Sequence, residues 1–249
     1  MEFLKAFYPN KNAKVWCPDP TWPTHHGIAA KAGFESAKYR YYDRKNRNFD
    51  CSGMLEDLDK AGDGQIVILH SCAHNPTGQD PTMDQWKQIL DVCQRRNHLI
   101  CFDNAYQGFA SGNLEKDGAA VKMFSENTDR IVLFQSFAKN FGLYGERIGN
   151  LNIVTSSAEE AKIVQSRLKT FARPMYSNPP IHGAHIVNTI LSDPALTASW
   201  HNDLAVMSKR MAEMRTGLVA SLKNAGSTLD WSHVTNQIGM FAYTGMSQA

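Results

Sequence analysis

The sequence predicts an α/β protein with a mostly parallel central sheet flanked by helices. Three observations carry that expectation. Short apolar runs recur at Gln65–Leu69, His98–Phe102 and Arg130–Phe134. They are continuous rather than alternating, as in strands buried on both faces. An amphipathic stretch from Met83 to Asn97, with Trp86, Leu90 and Cys93 at helical spacing, separates the first two. Strand, helix, strand is the unit of a parallel sheet.

The elements follow in order. Val15–Cys17 and Ala37–Tyr42 read as strands around a helix from His25 to Lys31. Asp80-Pro81 suits the start of the Met83 helix. Leu151–Thr155 reads as one more strand. Ser156 with Glu159 forms a capping-box pattern that opens a helix to about Lys169. The longest helix is expected over 194–224. Asp193 stands as its cap, Pro194 in its first turn and Gly226 after its end. Leu196, Trp200, Leu204, Met207, Met211, Met214 and Leu218 recur along it as a stripe that reads as core packing. A helix this long suits a bridge between two domains, expected at 1–206 and 207–249.

Composition narrows the function classes. The 249 residues are 43% hydrophobic and 20% charged, which excludes disorder for the bulk of the chain. The net charge of +2 gives no support to a nucleic-acid or membrane-surface partner, and no apolar run reaches membrane-spanning length. Five cysteines, at 17, 51, 72, 93 and 101, form no CxxC pair and read as free thiols of a reducing compartment.

Each central strand ends in chemically capable residues. After the first come His70, His74, Asn75 and Thr77; after the second, Asp103 and Tyr106; after the third, Ser136, Lys139 and then Arg147. Ligands of parallel sheets bind at the carboxyl ends of strands, so Asn75, Asp103, Tyr106, Ser136 and Lys139 are expected to converge. Singly each has a plainer reading. Lys139 suits a solvated lysine, Asp103 a cap, Arg147 a surface charge and the HNPTG segment a turn. Phe241 suits a core aromatic on a strand, with a substrate contact as the second reading; His70 and His74 suit hydrogen bonding near a ligand, and His25-His26 a helix start with one residue close to it, with no metal expected. Together they meet the needs of pyridoxal 5′-phosphate. A lysine forms an imine with its aldehyde. An aspartate keeps the pyridine nitrogen protonated. Tyr106 and Asn75 suit the phenolic oxygen, and Ser136 and Arg147 suit the phosphate.

The segments AHNPTG, FDNAYQGFASG, QSFAKNFGLYGERIGN and RPMYSNPP resemble the class I aminotransferases, the aspartate aminotransferase family. The resemblance runs from Phe7-Tyr8-Pro9 to Gly239-Met240-Phe241. It implies fold type I of the pyridoxal-phosphate enzymes and transamination between aspartate and 2-oxoglutarate. An aromatic aminotransferase or a related lyase is the alternative. It assigns Lys139 to the imine and the proton shuttle, and Asp103 to the pyridinium. Tyr106 and Asn75 fall to the phenolic oxygen, Ser136 and Arg147 to the phosphate. It adds Trp22 as the residue stacked on the ring. Arg173 becomes the arginine that reaches into a neighbouring subunit and pairs with the substrate's side-chain carboxylate. A homodimer with shared sites is implied, in the cytoplasm or the mitochondrion. The family's Ser-Gly-Thr-Gly phosphate loop and its arginine for the substrate α-carboxylate have no counterpart among these residues. The chain is therefore expected to be an interior piece of a longer enzyme, missing one central strand and cut inside the small domain, and weakly active or inactive by itself.

Overall fold

A computed structural model describes residues 1–246; 247–249, the last three residues of the expected second domain, lie outside the described residues. In chain order the elements are α1 (Glu2–Phe7), β1 (Val15–Asp19), α2 (Thr24–Lys31), β2 (Ser36–Arg40), β3 (Tyr42–Asp43), β4 (Asn48–Phe49), α3 (Cys51–Lys60), β5 (Ile66–His70), α4 (Met83–Arg95) and β6 (Leu99–Asn104). There follow α5 (Leu114–Asp117), α6 (Ala119–Asn127), β7 (Ile131–Ser136), a 3-10 turn (Tyr144–Glu146), β8 (Gly149–Ile153), α7 (Ala158–Tyr176), α8 (His182–Ser192), α9 (Pro194–Asn224) and α10 (Ser232–Thr235).

Six strands form one sheet in the order β2-β1-β5-β6-β7-β8. All neighbours run parallel except β7 and β8, which are antiparallel. Pairing is unbroken from edge to edge. The expectation of a missing central strand is thus corrected: the apolar cores of β5, β6 and β7 already occupy the middle.

Strand parity explains why both faces are buried. Val67, Leu69, Ile100, Phe102 and Ile131 point to one face, where Met54 and Leu58 of α3, Trp86, Ile89 and Cys93 of α4 and Phe124 of α6 cover them. Ile66, Ile68, Cys101 and Val132 point to the other, against Ala29 of α2 and Tyr8 after α1. Asp103 is two residues beyond Cys101 and so shares the α2 side. The register places His70 beside Asp103 and Asp103 beside Phe134.

Two helix starts differ from the sequence pattern. α4 is capped by Thr82, whose Oγ1 accepts from Gln85 N at 3.3 Å while Gln85 Oε1 accepts from Thr82 N at 2.8 Å. Asp80 instead folds back on the preceding loop. α7 is capped by Ser157, one residue later than expected, because the Glu160 carboxylate takes both the Ser156 amide and its hydroxyl. α7 also runs through Pro174 to Tyr176, where Ser177 turns into a positive φ of 67°. α3, which the sequence reading missed, starts on an Asp50 cap and buries Met54 and Leu58.

α9 spans 194–224 as expected, with Asp193 accepting from Ala195 N and Leu196 N. Its stripe is only partly core. Leu204 is fully buried against Cys72, Ala73, Ala105, Tyr106 and Phe109, with Trp200 and Met211 alongside. Leu196, Met207, Met214 and Leu218 are exposed, which corrects the core reading at those four positions. Burying Leu204 there is worth ~2–5 kcal/mol against alanine. α9 thus packs directly behind the loops that follow β5 and β6. All five cysteines are free. Among the described residues no helix is long and apolar enough to cross a membrane.

Candidate active site

The carboxyl ends of β5, β6 and β7 bring together most of the residues singled out from sequence. Asp103 is the last residue but one of β6, and its Oδ2 lies 2.9 Å from Nε2 of His25 on α2. His25 Nδ1 is 2.8 Å from Thr21 Oγ1, which is in turn 3.3 Å from His70 Nε2. His70 Nδ1 accepts from the Asn75 amide at 3.2 Å. Side chains of α2, β5 and β6 are thereby tied into one chain of hydrogen bonds.

The electrostatics follow from burial. Burial works against the Asp103 carboxylate. Burial is the largest single influence, but the His25 hydrogen bond and the charges of His70, His25 and Lys139 together outweigh it, and the pKa lies below the ordinary value. Burial takes His70 down to about 4, opposed by the Asp103 charge, so its ring is neutral at pH 7. Burial takes the Tyr106 phenol up to about 12; the Asn75 hydrogen bond opposes this and the Asp103 charge adds to it. Tyr106 is therefore a neutral O–H donor at pH 7.

Tyr106 Oη accepts from Asn75 Nδ2 at 3.4 Å, and Lys139 Nζ stands 5.1 Å from the centre of the Tyr106 ring. Ser136 Oγ accepts from the Ala138 amide at 3.2 Å and retains its own proton to donate. Trp22 is exposed and meets the His25 ring edge-on at 5.4 Å. A cleft of about 250 Å³ opens beside Asp103, lined also by Trp22, His25, Ala29, Ile68 and Phe134.

Two expected residues stand apart. Arg147, in a left-handed conformation with φ of 52°, donates from Nη1 to the Tyr144 carbonyl at 2.9 Å and is exposed. Arg173 is exposed on α7, donates to Ser177 Oγ at 2.9 Å, and does not line the Asp103 cleft. Phe241 lies in no strand. It is exposed and meets the Tyr106 ring edge-on at 5.8 Å, which corrects the reading of a strand-borne core aromatic.

The structure adds residues that sequence reasoning missed. Asn140, next to Lys139, donates from Nδ2 to the Gln107 carbonyl at 3.2 Å, and its own carbonyl accepts from Trp200 Nε1 at 2.8 Å. The Trp200 ring is stacked on Phe141 at 4.2 Å. α9 thus holds the chain at Asn140 and Phe141, directly after Lys139. Asp80 accepts from Ala73 N at 2.6 Å and His74 N at 2.9 Å, holding the loop that carries Asn75. Ala73 sits there at a positive φ of 50°. Asp117 does the same for the loop after Tyr106, accepting from the amides of Gly108, Ala110 and Ser111. Adjacency to Lys139 was the only sequence signal for Asn140. Asp80 and Asp117 lay in turn-rich segments where a capping role reads equally well.

The donor set fits pyridoxal 5′-phosphate. A carboxylate held ionised suits a protonated ring nitrogen, and a neutral phenol paired with an amide N–H suits the phenolic oxygen. A primary amine at hand suits the aldehyde. His25, His70 and Asp103 do place ligand atoms within 4.8 Å of one another. Their hydrogen bonds to each other and to Thr21 account for that grouping.

A mostly parallel sheet flanked by helices, with these side chains gathered at the carboxyl ends of its strands, defines the class: an α/β fold with its polar side chains where such sheets bind ligands. A model of the aminotransferase class I and II family matches residues 2–249, and the chain belongs to that family. It is 50% identical over 246 residues to the mitochondrial aspartate aminotransferase of Dictyostelium discoideum, covering 99% of this chain and 57% of that protein. It is 49% identical to the cytoplasmic aspartate aminotransferase of Oryza sativa subsp. japonica, covering 99% of this chain and 60% of the relative. A mitochondrial aspartate aminotransferase from Trypanosoma brucei superposes with a TM-score of 0.96 at 50% identity, over 99% of this chain and 64% of that one. An aromatic-amino-acid aminotransferase from Burkholderia pseudomallei, covalently bound to pyridoxal phosphate, superposes with a TM-score of 0.95 at 44% identity, over 99% and 61%. The fold is that of the type I pyridoxal-phosphate enzymes, as expected from sequence. The chain spans 57 to 64% of the length of these four relatives.

Proposed function

We propose that the native protein is a pyridoxal 5′-phosphate-dependent aspartate aminotransferase, exchanging the amino group between aspartate and 2-oxoglutarate. The observation that carries this reading is Asp103, held ionised by His25 at the carboxyl end of β6, with Lys139, Tyr106 and Asn75 beside it. The identity to named aspartate aminotransferases supports the substrate pair.

In this reading Asp103 faces the ring nitrogen and keeps it protonated. Tyr106 donates its O–H, and Asn75 its N–H, to the phenolic oxygen. Ser136 and Arg147 take the phosphate, and Arg147 turns from the Tyr144 carbonyl to do so. Trp22 covers the ring. Bound there, the cofactor supplies an electron sink for the pair left when substrate Cα loses its proton. Lys139 tethers the cofactor and, once free, its amine takes that proton. Arg173 pairs with the substrate's side-chain carboxylate from the neighbouring subunit of a homodimer, consistent with its position outside the cleft of its own chain. Residues 1–206 form the cofactor domain and 207–249 begin a smaller one, with α9 joining them. The compartment is the cytoplasm or the mitochondrion, the two locations in the relatives' names.

The aromatic aminotransferase among the structural relatives keeps one competing specificity in view. The test is the ratio of kcat/KM for aspartate and phenylalanine with 2-oxoglutarate, measured on the native protein loaded with cofactor. Aspartate should be favoured; a preference for phenylalanine would move the chain to the aromatic class.

A further inference from the structure

We propose that Arg215, on α9, is a positioning residue that latches the segment Gln237–Tyr243 onto the active-site loops and so sets the wall that Phe241 forms beside Tyr106. Arg215 is buried, at 8% exposure, although it carries a guanidinium. Its Nη2 donates to the carbonyls of both Gly239 and Phe241, the latter at 3.0 Å, and among the described residues it has no carboxylate partner. Its Nε, also buried, has no partner. A buried guanidinium opposite carbonyls alone is an expensive way to fill space, since a charge out of water needs compensation. Its geometry explains why a donor stands here: the two N–H groups of Nη2, held in the guanidinium plane, reach two carbonyls two residues apart and fix the turn between them.

That turn is fitted closely to the site. Gly239 has a φ of 84°, and a Cβ at that position would lie 2.4 Å from the Ala73 Cβ. Only glycine allows the approach. The Ile238 amide donates to the Gly78 carbonyl at 2.8 Å, which ties the segment to the far end of the HNPTG loop. Gln237 closes the segment on itself, accepting from Tyr243 N at 2.6 Å and donating to its carbonyl at 2.9 Å. Phe241 then meets the Tyr106 ring edge-on. Ala73 is held from its other side by Asp80. A continuous series of contacts thus runs from α9 through Arg215 and Gly239 to Ala73, two residues from Asn75. The same latch reaches Tyr106 through Phe241.

The functional consequence rests on the aminotransferase reading; the structural one does not, and the experiment separates them. Amide hydrogen exchange is measured on the native protein and on Arg215→Met and Arg215→Lys. Methionine keeps the apolar stem and removes the donors; lysine keeps the charge and N–H donors but not the planar group that holds Nη2 in place. Exchange across 237–243 should speed up about tenfold or more in Arg215→Met, with Arg215→Lys between it and the native protein, while β5 and β6 keep their protection. Unchanged exchange at 237–243 in Arg215→Met would overturn the latch. If Arg215→Met does not fold, Arg215→Lys decides: intermediate exchange supports the latch, native-like exchange rejects it. On the holoenzyme, the amino-acid KM should rise about fivefold or more in Arg215→Met while kcat stays within about twofold, and Arg215→Lys should recover part of the loss. Faster exchange with an unmoved KM would reject the tie to substrate while leaving the cofactor assignments untouched.

Discussion

Asp80→Asn is expected to stabilise the protein at neutral pH, although it replaces a side chain with two good hydrogen bonds. Asp80 is partly buried and accepts from the Ala73 and His74 amides. Burial nevertheless wins over those two bonds and lifts its pKa from 3.8 to about 6. Between those values the folded chain binds more protons than the unfolded chain, so stability falls as pH rises through that window. At about 1.4 kcal/mol per pH unit the gap amounts to a penalty of ~3 kcal/mol fully present above pH 6. Asparagine matches the protonated carboxyl in shape and carries no such penalty. Urea denaturation of both proteins should therefore show Asp80→Asn more stable by ~3 kcal/mol at pH 7.5 and by only ~1 kcal/mol at pH 4.5. Destabilisation at pH 7.5, or an offset equal at the two pH values, would refute the reasoning. The same substitution should loosen the loop that carries Asn75, because an amide can accept from only one of the two backbone N–H groups.

Three further outcomes follow from the site. His70, whose pKa falls from 6.5 to about 4 on burial, should contribute the opposite slope: the native protein loses up to ~3 kcal/mol as pH falls from 6.5 to 4, and His70→Gln should flatten that part of the stability–pH curve. Asp103→Asn should keep the contact with His25 and still bind cofactor, yet slow transamination by about a hundredfold or more, since an amide cannot hold the ring proton; near-native turnover would remove Asp103 from its role. Arg173→Asp should lower kcat/KM for aspartate about a hundredfold more than for alanine, and an equal loss for both would make Arg173 structural.

The sheet was legible because buried parallel strands leave continuous apolar runs, as Ile66–Leu69 and Ile131–Phe134 do. α9 was legible because Asp193, Pro194 and Gly226 mark its ends. α3 was missed because Met54 and Leu58 are the only large side chains it fully buries and its second half is highly charged. The half-exposed Met stripe shows the limit of periodicity, which identifies a helix face without saying what covers it. Strand ends pointed to Asp103, Tyr106 and Lys139. The partners that hold them are different. His25 reaches Asp103 across 78 positions, Trp200 reaches Asn140 across 60, and Arg215 reaches Gly239 across 24. Such pairs come from the stacking of layers and leave no local pattern.

The central claim is that Lys139 is the residue to which the cofactor is joined. It is tested most directly by borohydride reduction of the native protein loaded with pyridoxal 5′-phosphate, followed by peptide mapping by mass spectrometry. The account predicts one reduced phosphopyridoxyl group per chain, on the peptide that contains Lys139, and none in Lys139→Ala. Labelling of a different lysine, or undiminished labelling in Lys139→Ala, would contradict it.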